Sequence, residues 1–239
     1  MNYSLLAKKA LRIFGLEVKR YNFLNAEEPL LKKLMNDLRI QTVIDVGANE
    51  GQYGTQLIKN GFTGNIFSFE PLSDPFSVLQ RKAKAAPNWN AINCAIGEDD
   101  AELSINVSEN SVSSSFYEVS GNSLKAEPAT RIVRKETIGV TSIDKYFKQR
   151  NLEKEIWLKL DVQGYELNAL KGALQTLRDV KAIQVELSLS PAYIGAPLLV
   201  EVVSFIEKQN YEIFTLLPGF RDEKSGRLVQ ADGIFLRKS

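Results

Sequence analysis

From residue 42 onward the chain alternates between two spacings of its apolar positions. Short apolar runs of strand length are each followed by a stretch with helical spacing. The first run, Thr42-Val43-Ile44-Asp45-Val46, is bounded by glycine. It reads as a buried parallel strand, because a strand covered on both faces loses the apolar–polar alternation. A helix is expected after Gly51, ending near Gly61, where glycine accommodates the left-handed cap. A strand over 65–69, a helix from Ser73 to about Ala86 and a strand over 90–96 continue the rhythm. Residues 101–107 alternate as an exposed strand does. The stretch 108–129 is rich in Ser, Asn, Gly and Glu and reads as a long loop of the kind that is functional or disordered. A strand over 137–141 precedes a helix that Thr141 and Asp144 are placed to cap. The second half predicts a strand over 156–160, a helix over 164–178, a strand over 181–187, a helix over 197–209 and strands over 211–216 and 232–237. This alternation predicts an α/β, Rossmann-like fold: a mostly parallel seven-stranded sheet with helices on both faces.

Ahead of that domain, residues 3–20 read as a basic amphipathic helix. Leu6, Ala10, Ile13 and Phe14 share one face, and Lys8, Lys9 and Arg12 cluster elsewhere. Asn25 followed by Glu28 forms the pattern of a capping box for a helix over about 26–38. The expected organisation is an N-terminal helical extension over 1–39 and one domain over 40–239. The basic helix is read as a packing or oligomer element in preference to a membrane anchor.

Composition narrows the chemistry. Of 239 residues, 44% are hydrophobic and 25% charged, ordinary values for a protein with a real core. Thirty Lys and Arg stand against 29 Asp and Glu, so no global field recruits nucleic acid or an anionic membrane. The single cysteine, Cys94, lacks an internal disulfide partner, which suits a reducing, cytoplasmic setting. It is read as a buried, inert thiol. No apolar run approaches the length needed to span a bilayer, and Lys8, Lys9 and Arg12 interrupt any signal-peptide core. Histidine is absent. That excludes Ser–His and Cys–His nucleophiles and histidine zinc sites, and leaves Asp, Glu, Lys, Tyr or a held water as general base.

In an open parallel sheet, ligands bind beyond the carboxyl ends of the strands. The acids at those ends are Asp45, Glu70, Asp161 and Glu186. Four carboxylates there exceed what packing alone would place, since a buried carboxylate is costly unless paired. After the first strand comes Asp45-Val46-Gly47-Ala48-Asn49-Glu50-Gly51, with glycines suited to a sharp turn and close approach to a ligand. Glu70 follows by about one βα unit, where an acid takes both ribose hydroxyls. The turn departs from the dinucleotide pattern G-x-G-x-x-G. An acid at Asp45 would repel a pyrophosphate, whereas it would attract the sulfonium and ammonium of S-adenosylmethionine.

These segments resemble the FkbM family of S-adenosylmethionine-dependent methyltransferases. The resemblance runs through Val43 to Gly51, Phe69-Glu70-Pro71, Thr141 to Tyr146, and most fully Leu158-Lys159-Leu160-Asp161-Val162-Gln163-Gly164-Tyr165-Glu166 with Leu170-Lys171-Gly172-Ala173. Val185-Glu186, Ser113-Ser114-Ser115 and the tail from Gly226-Arg227 to Phe235 add to it, covering about 40–237. The resemblance implies that Asp45, Gly47 and Gly51 shape the methionine end of a cofactor pocket, with Asn49 beside it. Glu70 would take the ribose, the loop near Ala95 and Ile96 the adenine, and Asp161 would face the transferred methyl and the acceptor.

The expectation is therefore an O-methyltransferase. Its cofactor is S-adenosyl-L-methionine, its acceptor a small molecule or saccharide hydroxyl, and it has no nucleic-acid partner and no transmembrane segment. Asp161 is the first candidate base and Glu186 the second; their spacing does not demand a metal. A homo-oligomer stays open. Lys159, Tyr165 and Glu166 each have a structural reading beside the functional one. The rival readings are an NAD-binding Rossmann oxidoreductase and a non-catalytic adenosyl-binding module.

Overall fold

The computed structural model describes residues 8–238 apart from 10, 20 and 151. Two compact units divide the chain, Met1–Leu38 and Arg39–Ser239. In the first, the described residues from 8 to 13 are helical and the turn closes at Gly15. The predicted helix over 3–20 thus stops early, because Gly15 sits at φ +72°, a left-handed conformation that ends a helix. Its residues 3–7 lie outside those described. Helix α1 (Glu27–Asp37) follows without the predicted capping box. Its N-cap is Ala26, which has no side-chain cap; Asn25 Nδ2 donates instead to Asn22 Oδ1, and Glu28 accepts from the Tyr21 hydroxyl.

The second unit is built on a seven-stranded sheet. Strands β1 (Thr42–Val46), β2 (Asn65–Phe69) and β3 (Trp89–Ile92) alternate with helices α2 (Gln52–Lys59) and α3 (Ser73–Ala83). Strands β4 (Ala95–Ile96), β5 (Ala101–Ser108) and β6 (Ile132–Thr141) form a second, three-stranded sheet, with helix α4 (Gly121–Ala126) between β5 and β6. Helix α5 (Ile143–Phe147), β7 (Ile156–Leu160), α6 (Glu166–Lys171), β8 (Val180–Ser188), α7 (Leu199–Lys208), β9 (Tyr211–Pro218) and β10 (Gln230–Arg237) complete the chain. The main sheet runs β3-β2-β1-β7-β8-β10-β9, parallel except that β10 is antiparallel to both neighbours. This is the Rossmann-like α/β fold that the alternating pattern predicts.

The order reverses at β1, whose neighbours are β2 and β7. Such a switch point opens a crevice above the strand ends. The register then decides what meets there. Val46 pairs with Phe69 on one side and with Leu160 on the other, and Leu160 pairs with Val185. Gly47, Glu70, Asp161 and Glu186 follow those four residues and so emerge on one level. Beneath them lies the core, where Ile44, Leu158 and Ile183 form a fully buried row across three strands.

The predicted strand over 90–96 is in fact two. Asn93 Nδ2 donates to the carbonyls of Glu70 and Pro71, both at 2.9 Å, and turns the chain so that β4 leaves the main sheet and pairs with β6. Strand β6 begins at Ile132, earlier than predicted, because it pairs with all of β5. The stretch 108–129 is not structureless: short 3-10 turns at Ser111–Ser113 and Pro128–Thr130 flank α4, and Ser108, Ser114 and Ser115 are buried. The cap of α5 is Ser142, accepting from Lys145 N, while Thr141 donates to Asp100 and Asp144 accepts from Gln175 N and Thr176 N. The predicted helix over 164–178 ends at Lys171, and a 3-10 turn, Thr176–Arg178, follows. At Gly172 the chain lies against the Gly97 carbonyl, where a Cβ would come within 2.0 Å.

Candidate functional site

Asp45 lies inside β1 and is fully buried. Its Oδ2 accepts from the Ser68 hydroxyl at 2.9 Å, and that hydroxyl in turn accepts from Trp89 Nε1 at 2.9 Å. Its Oδ1 takes no aligned hydrogen bond but lies 3.2 Å from Lys159 Nζ. Lys159 also donates to the Gly47 carbonyl at 3.1 Å and lies 3.7 Å from Asp161 Oδ2. Burial alone would lower the pKa of this ammonium. The combined fields of Asp45, Asp161 and Glu186, with the contact to Asp45, outweigh that and hold its pKa above the ordinary lysine value. Asp45 is therefore a buried ion-pair partner beneath the turn, not part of the pocket wall.

The turn above is shaped by close approach. Gly47 sits at φ +77°, and a Cβ there would come within 1.8 Å of the Asp161 carbonyl oxygen. Only a residue without a side chain lets β1 and β7 meet at this point. Gly51 acts differently: its vacant side-chain position faces Leu79 and the Trp89 indole, so it packs the start of α2 against the sheet and does not line the pocket. Asn49, at φ +46°, donates its backbone N–H to Glu70 Oε2 at 2.8 Å and its Nδ2 to Ser111 Oγ at 3.1 Å. Leu72 N donates to Glu70 Oε1 at 2.9 Å. Two amides thus orient the Glu70 carboxylate, which keeps acceptor capacity for two further donors. Burial, reinforced by Asp45, raises its pKa to about 7 against the pull of those amides and of Lys159.

Glu70 opens into a pocket whose walls include Phe69, Leu72, Ala95, Ile96, Val112 and Phe116, with Gly47, Asn49, Ser111 and Asp161 among its polar edges. No Lys or Arg lines it. Ala95 and Ile96 reach it from β4, and Ser111, Val112, Ser114 and Phe116 from the serine-rich stretch after β5. Of the sequence-predicted residues, Gly47, Asn49, Glu70, Ala95, Ile96 and Asp161 meet here; Asp45, Gly51 and Glu186 are outside the wall.

Asp161 follows β7 with its side chain 41% exposed. Glu186 sits beside it in β8 and shares no direct hydrogen bond with it. Gln163 stands between them: its Nε2 donates to Asp161 Oδ1 at 2.7 Å and to Glu186 Oε2 at 3.0 Å. Gln230 gives Glu186 a second donor at 2.8 Å. The Gln163 amide is fixed from behind by the Tyr193 hydroxyl, whose oxygen lies 2.7 Å from Oε1 and 3.0 Å from the Ser113 carbonyl and whose one proton is given to one or the other. Burial, then Asp161, Glu166 and Asp232, drive Glu186 well above the ordinary carboxylate range, with Lys159 opposing. Glu166 settles as a structural residue: its Oε1 accepts from Val162 N and Gly164 N and closes the turn between β7 and α6. Tyr165 packs against Phe116, ring centroids 4.5 Å apart. Among the described residues no group of three or more His, Cys, Asp or Glu is placed to hold a metal.

Sequence reasoning missed Gln163, Tyr193 and the Ser68–Trp89 pair. Gln163 lies within the motif that carries Asp161, but its role depends on Tyr193 and Glu186, which only the folded register brings near.

The profile of the family described as "Methyltransferase FkbM domain" matches residues 45–213, well over half of the chain. The chain belongs to that family. A curated relative, the hexuronic acid methyltransferase AglP of Haloferax volcanii, is 25% identical over 173 residues. The match covers 72% of this chain and 66% of the relative, so the chain spans just under two thirds of that protein's length. Among solved structures, magnesium protoporphyrin IX methyltransferase from Synechocystis PCC 6803 aligns at TM-score 0.48 and 9% identity, covering 87% of this chain and 76% of that one. An rRNA methylase from Streptococcus thermophilus aligns at TM-score 0.47 and 9% identity, covering 94% and 100%. Likenesses this loose do not bear on activity.

Proposed function

We propose that this FkbM-family chain is an S-adenosylmethionine-dependent O-methyltransferase that acts on a saccharide hydroxyl. The observation that carries the reading is a pocket at the switch point that pairs Glu70 with Asp161 and has no cationic side chain in its wall. A pyrophosphate there would face two acids and no cation in the wall, with Lys159 behind it tied to Asp45, the Gly47 carbonyl and Asp161, whereas a sulfonium and an ammonium find complementary charge. The residues suit that cofactor. Glu70, oriented by two amides, keeps capacity to accept ribose hydroxyls, and Phe69, Leu72, Ile96 and Val112 offer an apolar wall to an adenine. When bound, S-adenosylmethionine supplies an electrophilic methyl group. Asp161 lines the same pocket, where it would accept the proton of an acceptor hydroxyl during methyl transfer. Glu186 is the member of the pair that burial drives towards its neutral form, and Gln163 keeps the two carboxyls from sharing a proton directly. In-line displacement draws most of its acceleration from alignment. The saccharide class is supported by the name of the Haloferax volcanii relative.

Isothermal calorimetry with S-adenosylhomocysteine and with NAD tests the cofactor. Micromolar binding of the first and none of the second is expected, and the reverse result overturns the reading. Transfer of labelled methyl to a panel of neutral and uronic saccharides then tests the acceptor class.

A further inference from the structure

The near balance of 30 cations and 29 acids conceals a segregation along the chain. Residues 1–24 hold five cations, Lys8, Lys9, Arg12, Lys19 and Arg20, against one acid, Glu17, a net of +4. The remaining 25 cations and 28 acids leave the rest of the chain at −3. Glu17 is itself spent, lying 3.4 Å from both Arg12 and Lys19.

Apolar side chains stand exposed among these cations. Ile13 is 83% exposed, Phe14 79% and Leu24 75%, with Leu16, Val18 and Tyr21 at about half or more. Ile13 and Phe14 are not on a loose end. The helical turn before them closes in a Schellman motif: Leu16 N donates to the Leu11 carbonyl and Gly15 N to the Arg12 carbonyl, both at 3.0 Å, with Gly15 left-handed. The fold thus builds a capped turn whose tip is two adjacent large apolar residues in water. On a folded surface such a cluster marks an interaction site.

The charge pattern selects the occupant. Protein interfaces are depleted in lysine, and a protein partner would have to desolvate these cations beside the apolar tip. A bilayer surface lets both groups keep what they need, with apolar side chains at the acyl boundary and cations among anionic headgroups. No helix among the described residues is long and apolar enough to cross a membrane. We propose that the Ile13–Phe14 turn docks this protein on an anionic lipid surface, with Lys8, Lys9, Arg12 and Lys19 meeting the headgroups. The sequence pattern by itself favours a packing element; the exposure of the apolar tip reverses that preference. The proposal is independent of the methyltransferase reading.

Cosedimentation of the full chain with vesicles tests it. Binding is expected to equimolar phosphatidylcholine and phosphatidylglycerol, to weaken in high salt, and to be absent with phosphatidylcholine alone. The double variant Ile13→Glu, Phe14→Glu should lose affinity by on the order of tenfold or more, through lost apolar burial and added repulsion. Calorimetry with S-adenosylhomocysteine and the melting temperature, run on the same samples, should not change. Wild-type protein that ignores anionic vesicles overturns the proposal. So does a double variant that binds them undiminished. Sedimentation equilibrium showing a self-associating wild type that the double variant makes monomeric, without vesicle binding, assigns the turn to a second copy instead.

Discussion

Glu166→Gln should stabilise the ligand-free protein at pH 8 and leave it unchanged near pH 4.5. Glu166 is 4% exposed, and burial, with a smaller push from Asp161, raises its pKa from 4.5 to about 7 against three backbone donors. The native state therefore holds this proton more tightly than the unfolded chain does. Between pH 4.5 and 7 the native state binds more protons, so this group lowers stability as pH rises. The loss is complete above pH 7 and absent below pH 4.5. At about 1.4 kcal/mol per pH step, the full penalty is about 3 kcal/mol. Glutamine keeps a carbonyl oxygen for Val162 N and Gly164 N, at 3.2 and 3.1 Å in the wild type, and removes the buried charge. For a domain of this size, about 3 kcal/mol corresponds to a melting-temperature gain on the order of 6–12 °C at pH 8. Differential scanning calorimetry of both proteins at pH 5 and pH 8 measures it. A variant equally destabilised at both pH values would show that Glu166 acts as an ionised hydrogen-bond acceptor, and the burial argument would fail.

Glu70→Ala should weaken S-adenosylhomocysteine binding by about 1.5–3 kcal/mol, roughly ten- to a hundredfold by calorimetry, because a charged acceptor is lost. With the Glu70 pKa at about 7, wild-type binding should weaken as pH falls through 7 and the carboxylate protonates; affinity flat from pH 6 to 8 would contradict this. Asp161→Asn should cut methyl transfer to a competent saccharide by on the order of a hundredfold with cofactor affinity nearly unchanged; a variant that loses the cofactor and keeps its turnover at saturation would move Asp161 to the cofactor shell. Gly47→Ala should destabilise the domain, since a Cβ would come within 1.8 Å of the Asp161 carbonyl oxygen and that backbone cannot easily give way; an unchanged melting temperature would refute the close-approach role. Hydrogen exchange over 108–129 should slow when S-adenosylhomocysteine binds, because Ser111, Val112 and Ser114 line the pocket; equal, strong protection with and without the ligand would count against a closing segment.

What was legible in the sequence follows from how each residue is constrained. A parallel ladder keeps neighbouring strands in register, so reading β2, β7 and β8 as strands was enough to bring Glu70, Asp161 and Glu186 to one level, whereas Asp45, read as ending β1, lies one residue inside it and Gly47 takes that level. The break between β3 and β4 was hidden, because it depends on one amide, Asn93 Nδ2, finding the carbonyls of Glu70 and Pro71 about 22 residues away. Roles were hidden for the same reason. Asp45 looked like an acid presented to the ligand, and the case against a pyrophosphate leaned on its charge. In the fold Lys159 meets it at 3.2 Å beneath the turn, so Asp45 is a buried ion-pair partner and no part of the pocket wall. The electrostatic case survives by moving to different residues: Glu70 and Asp161 face the pocket, and the wall around them supplies no cation. A strand-end acid is thus a candidate for ligand binding only after its internal partners are counted. Here that count divides four acids of similar sequence context into one buried ion-pair partner, one pocket carboxylate held by two amides, one partly exposed carboxylate and one carboxyl driven towards neutrality.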